Sequence, residues 1–235
     1  MRTKYLACET LRDEIEYIFH SESRNENGQK AASEKSVNFG KPEIIWLESG
    51  LHNFPKKLHN RLQESIDQVT DCDRLILLFG RCGNSSNQLK SGSFELIIPK
   101  ADDCISLLFG SDQARNAYAG ANAAYYLTEG WMRGERNVWV EYQYTVEKYG
   151  EKDAKVIADM MYGHYKQLAL LDTGVGNIEE LVEQTAVIEE TLGLKRTVIP
   201  ATLSYLKELI YGPWDRERYY ILKPFEEVTL SSPLG

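Results

Sequence analysis

Three cysteines in this chain follow apolar runs and open polar turns: Cys8 in YLACET, Cys82 in LLFGRCGN and Cys104 in KADDCISLL. Thiolates are soft ligands. Three of them leave a fourth position on zinc for water or substrate, or one open iron on an iron–sulfur cluster. Near them stand groups suited to moving protons, Glu9, His52 and Asp103, and polar side chains suited to holding a substrate, Asn53, Asn84, Asp172 and Thr173. Gly83 lets the backbone turn sharply beside a bulky centre. No CxxC occurs, so zinc-ribbon and thioredoxin-like spacings are absent. Free cysteine is also among the most buried residue types, so each thiol taken singly reads as packing. Their shared place after strands favours chemistry, whereas Cys72 in TDCDR precedes a strand and belongs to the opposite edge. His52 reads equally as a loop histidine bonded to backbone, and Asp172 as a helix cap. Tyr125, Tyr126 and Trp131 in YYLTEGW suit a pocket wall but more often form core.

The elements that would position these groups follow from periodicity. Short apolar runs at 5–8, 44–47, 75–79, 94–98, 125–127, 167–171, 196–199 and 219–222 read as strands. Helical spacing falls between them, including Leu58, Leu62, Ile66 and Val69 on one face, and a single helix over 178–192 stopped at Gly193. Asp102 or Asp103 caps a helix that starts near Cys104. Strands alternating with helices predict an α/β fold, mostly parallel sheet with helices on both faces in Rossmann-like layers. The chain reads as one α/β unit over 1–235, with a division near 130–136 if it separates into two or three Rossmann-like subdomains, and a flexible polar loop over 21–36. Ligands of such sheets bind beyond the carboxyl ends of the strands. That is where the three thiols would emerge.

Of the 235 residues 43% are hydrophobic, enough for a substantial core, and the net charge is −8 with lysine and arginine scattered. That charge argues against nucleic acid and anionic membrane and for a small-molecule or protein partner. No long apolar run suggests a membrane span, and the acids directly behind the first apolar stretch do not suit a signal peptide, so a cytoplasmic location is expected. GxGxxG, the P-loop pattern and GxSxG are all absent.

ACETL, GLHNFP, the strand running into GRCGN, IIPKADDCISLLFGS, YYLTEGW, LLDTG and ATLSYLKELIYGPWDRERYYILKP stand in one order over almost the whole chain. Together they resemble the family called domain of unknown function 1638. The resemblance aligns the family's recurrent cysteines with Cys8, Cys82 and Cys104 and its Leu-His with Leu51-His52. It places Asp102 where many relatives carry histidine. It implies a role in methyl or one-carbon metabolism, beside corrinoid proteins and their methyltransferases. The expectation is therefore a metalloenzyme with a three-cysteine zinc or iron–sulfur centre, Glu9, His52 or Asp103 moving protons, and Asn53, Asn84, Asp172 and Thr173 near substrate. The alternative is a non-catalytic protein that delivers metal or cofactor to a corrinoid methyltransferase. A small molecule, or a corrinoid protein or methyltransferase, is the expected partner, and oligomer formation stays open.

Overall fold

The computed structural model describes residues 1–22, 42–134 and 136–229. The first sheet contains β1 (Thr3–Cys8), β2 (Glu43–Leu47), β3 (Arg74–Leu78), β4 (Glu95–Pro99) and β8 (Tyr219–Leu222), in the order β2-β1-β3-β4-β8. The first four are mutually parallel. The chain first adds β2 on one side of β1 and then β3 on the other, so the strand order reverses between β1 and β3. In an open sheet that reversal leaves a crevice at the carboxyl edge, because the connections on its two sides leave for opposite faces.

Leu75, Ile76, Leu77 and Leu78 are all fully buried, as expected for a parallel strand covered on both faces. Ile15 and Ile18 of α1 (Arg12–Glu22), with Leu11 just ahead of it, and Leu58, Leu62 and Ile66 of α2 (Pro55–Gln68) are buried, spaced so that each set shares one helical face. These residues, with β1, β3 and β4, belong to one continuous core.

The chain then leaves this sheet through α3 (Cys104–Phe109) and α4 (Asp112–Asn122) and builds a second one. It has three parallel strands, β5 (Ala124–Leu127), β6 (Gln167–Asp172) and β7 (Lys195–Pro200), in the order β5-β6-β7. The short α5 (Glu129–Met132), which includes the start of the region expected to hold a division, follows β5 directly. Next come α6 (Val138–Tyr149) and α7 (Glu151–Tyr162), broken at Gly150, where φ is 81°. Finally α10 (Ser204–Tyr211) returns to pack on β3.

One local expectation changes. The helix over 178–192 is interrupted, giving α8 (Ile178–Gln184) and α9 (Ala186–Leu192). Between them the fully buried Thr185 turns its hydroxyl back to the carbonyls of Leu181 and Val182, at 2.7 and 3.2 Å. Such back-bonding competes with the helical ladder. The last strand, β8, pairs with β4 antiparallel, so the first sheet is mostly parallel, as expected. Of the loop expected at 21–36, residues 21–22 finish α1 and the rest lies outside the described residues. Among the described residues no helix is long and apolar enough to cross a membrane.

Candidate functional site

Cys8 is the last residue of β1, and Cys82 lies just beyond β3, so the two thiols flank the strand-order reversal. The third reaches them through a contact between two loops. Arg81 and Cys82 donate their amides to the carbonyls of Ala101 and Asp102, each at 2.8 Å. At Gly80 the backbones touch so closely that a Cβ would sit 2.1 Å from the Asp103 carbonyl carbon. Asp103 then caps α3, its Oδ1 accepting from the Ser106 amide at 2.8 Å, which places Cys104 in the first helical turn.

Cys82, Gly83 and Asn84 have φ of 39°, 69° and 64°, three consecutive residues in the left-handed region. For cysteine that conformation is unfavourable by about 1 kcal/mol or more. Strain of this kind concentrates where a side chain is held for a purpose.

The Cys104 thiol stands close enough to Cys8 and to Cys82 for each to act on its ionisation. The Cys8 sulfur also lies 2.9 Å from the Thr10 hydroxyl. The neighbouring Cys104, followed by burial, holds the Cys8 thiol well above its ordinary value. For Cys104 the influence of Cys8 pulls the other way, but Cys82 and burial outweigh it, and this thiol too is held well above. Cys8 and Cys104 are therefore neutral thiols in the protein as it stands. Cys72 lies apart, half-buried ahead of β3.

A cavity of about 550 Å³ opens beside the cluster. It is lined by all three thiols, by His52, Asn53 and Asp103 from the first sheet's loops, and by Arg115, Tyr126 and Trp131 from α4, β5 and α5. Trp131 is brought in by a second close approach, since a Cβ on Gly130 would sit 2.2 Å from the Thr10 carbonyl oxygen. Its ring meets His52 edge-on at 6.5 Å between centroids. Burial lowers the basicity of His52 and the negative charge of Asp103 partly restores it. Asp103 also pairs with Arg115 at 3.0 Å, and Asp102 pairs with Arg81.

The other candidates lie elsewhere. Glu9 is exposed and paired with Arg12 at 2.9 Å. Asn84 is exposed on the Cys82 turn and does not line the cavity. Asp172 ends β6 and Thr173 follows it, and both line a separate small pocket against Glu14 of α1, whose Oε1 accepts from the Thr173 hydroxyl at 3.2 Å. Sequence reasoning missed Arg115, although Arg115 and Ala119 stand at i and i+4 on α4 and both line the cavity.

Residues 46–210 match the family described as "Protein of unknown function (DUF1638)". The chain belongs to this family. The part matched to DUF1638 contains His52, Cys82, Cys104 and Arg115, while Cys8 lies ahead of it. Neither a curated protein nor a solved structure matches this DUF1638 chain.

A soft ion would suit three thiolates. Among the described residues, however, no group of three or more His, Cys, Asp or Glu side chains is arranged to hold a metal ion. Cys104 acts on the ionisation of Cys8, and Cys8 and Cys82 on that of Cys104. In donor chemistry the cluster fits a metal; in arrangement it does not yet do so.

Proposed function

We propose that this DUF1638 protein is a cytoplasmic metalloenzyme of methyl or one-carbon metabolism that binds zinc, or the iron of an iron–sulfur cluster, through Cys8, Cys82 and Cys104. The observation that carries the reading is that three buried thiols, Cys104 acted on by both of the others, line one cavity. Three buried thiols from three elements, beside a strained turn, are more than packing requires. A cation takes cysteine as thiolate, so its binding would displace the protons that Cys8 and Cys104 hold. When bound, such an ion supplies Lewis acidity at an open position, or electrons if it is a cluster.

The chain's own residues have separate work. His52, less basic than an ordinary histidine, is neutral at neutral pH and able to accept a proton from a cavity ligand. Asp103 orients Arg115 and sets the local charge beside His52. Trp131 and Tyr126 narrow the cavity and limit water. The small-molecule substrate, and a corrinoid protein or methyltransferase as partner, rest on the family resemblance.

The exposure of Glu9, one of three groups expected to move protons, favours a second reading, a protein that delivers metal or cofactor without catalysis. His52→Gln separates the two, because delivery survives it and turnover does not.

Anaerobic purification, reconstitution with zinc or with iron and sulfide, metal analysis and an absorption spectrum test the centre. Wild type is expected to hold a stoichiometric centre and Cys82→Ala to lose it. A wild-type protein that takes up no metal, or a Cys82→Ala protein that holds as much, overturns the reading.

A further inference from the structure

Two buried polar atoms of residues in the cavity wall have no partner. The Arg115 guanidinium donates from one terminal nitrogen to Asp103 Oδ2 at 3.0 Å and from the other to Asn116 Oδ1 at 3.1 Å, but its Nε is buried and unpaired. The hydroxyl of Tyr126, in a residue only 9% exposed, is likewise buried and unpaired. Both residues line the cavity, and the Arg115 charge acts on the Tyr126 phenol. Buried donors are nearly always satisfied in folded proteins, so two orphans at one cavity call for an acceptor that the free chain does not supply.

The chemistry of that acceptor is restricted. Guanidinium has donors and no acceptor, and it matches planar oxyanions better than any other side chain. The charges around it are already balanced in pairs: Asp102 with Arg81, Asp103 with Arg115, and Glu48 at the rim with Arg61. A doubly charged group such as phosphate would bring two further negative charges beside Asp103, whereas a carboxylate brings only one. Arg115 is 30% exposed, so its head has room to turn Nε toward an incoming oxygen. Ala119 on α4 and Ala123 just beyond its end both line the cavity and leave space for an apolar body, and Trp131 supplies an aromatic wall.

We propose that the cavity binds a small organic acid, its carboxylate oxygens taking the Arg115 Nε–H and the Tyr126 O–H and its apolar body lying over Ala119 and Ala123 toward the thiols. This rests on reading the cavity as a ligand site and needs no bound metal.

The test is titration of the full chain with acetate, propanoate and benzoate, against acetamide, benzamide and inorganic phosphate, read by calorimetry and by thermal shift. Carboxylates are expected to bind and raise the melting temperature, and the amides and phosphate to bind at least tenfold more weakly. Tyr126→Phe removes a hydroxyl that makes no hydrogen bond in the free chain, so its ligand-free melting temperature stays close to wild type while carboxylate affinity falls about tenfold. Arg115→Lys keeps the charge but loses the Nε–H and weakens binding by a similar factor. The proposal is overturned if no carboxylate binds, if amides or phosphate bind as well as carboxylates, or if both variants keep wild-type affinity. Metal content measured on the same samples separates the two readings: a metal centre without carboxylate binding defeats only this one, and carboxylate binding without metal defeats only the other.

Discussion

Gly80 and Asp103 touch through their backbones, with 2.1 Å between the position of an added Cβ and the Asp103 carbonyl carbon. That contact lets the amides of Arg81 and Cys82 reach the carbonyls of Ala101 and Asp102, and so brings Cys82 to Cys104. Gly80→Ala forces a methyl group against backbone that cannot yield without parting the loops. The expected loss is about 2–3 kcal/mol in urea unfolding, at the upper end for overpacking. A loss within about 0.5 kcal/mol, the range of an ordinary surface change, would show that the loops separate freely.

Glu14 predicts an unusual pH dependence. Its carboxyl is 3% exposed, one oxygen is unpartnered, and burial pushes it up to about 7. The charges that bear on it are Asp13, which raises it further, and Arg133, which lowers it. Since the folded value lies above the ordinary 4.5, the folded state holds the proton more tightly. This contribution is full below the ordinary value and is lost as pH rises through about 7, some ~3 kcal/mol in all. Unfolding midpoints at about pH 5 and about pH 8 are expected to differ more in wild type than in Glu14→Gln. Equal differences in the two proteins assign the slope to another group.

His52 and Asp103 give a third test. Burial holds His52 below the ordinary 6.5 and Asp103 opposes that shift, so His52 titrates below 6.5 by NMR and lower still in Asp103→Asn. The asparagine keeps an acceptor for the Ser106 amide, whereas Asp103→Ala loses the cap as well and costs about 1 kcal/mol more. An unchanged His52 titration in Asp103→Asn removes Asp103 as the charge that acts on it.

If the thiols take up zinc, the protons that Cys8 and Cys104 hold so firmly must leave. Affinity is expected to rise with pH, and calorimetry in buffers of different ionisation enthalpy to read about two to three protons released per ion. Uptake with no proton release would mean that the ion binds elsewhere.

The strand ends were legible in the sequence because a parallel strand advertises itself as an unbroken apolar run. The runs 5–8 and 75–79 marked Cys8 and Cys82 before any pairing was known. Asp103 was one of two offered caps for the helix at Cys104, and it is the one that caps. Long-range arrangement was not legible. Nothing local in YYIL shows that β8 runs antiparallel beside β4, because both directions satisfy the same alternation of side chains. Asp172 and Thr173 stand at the end of a parallel strand as expected, but that strand belongs to the second sheet, so its carboxyl edge serves a different pocket. Arg115 escaped notice because its role depends on Tyr126 and Asp103 closing around it in space.

The pairing of β4 with β8 sets an order on synthesis. Residues through Pro99 supply four parallel strands early, yet the free edge of β4 is covered only when Tyr219–Leu222 have left the ribosome. In the interval the chain must make the whole second sheet while a strand edge stands open to other chains. A nascent protein halted after β7 would hold its thiols and the far wall of its cavity but keep that adhesive border. Truncation there should favour aggregation over simple loss of ligand binding.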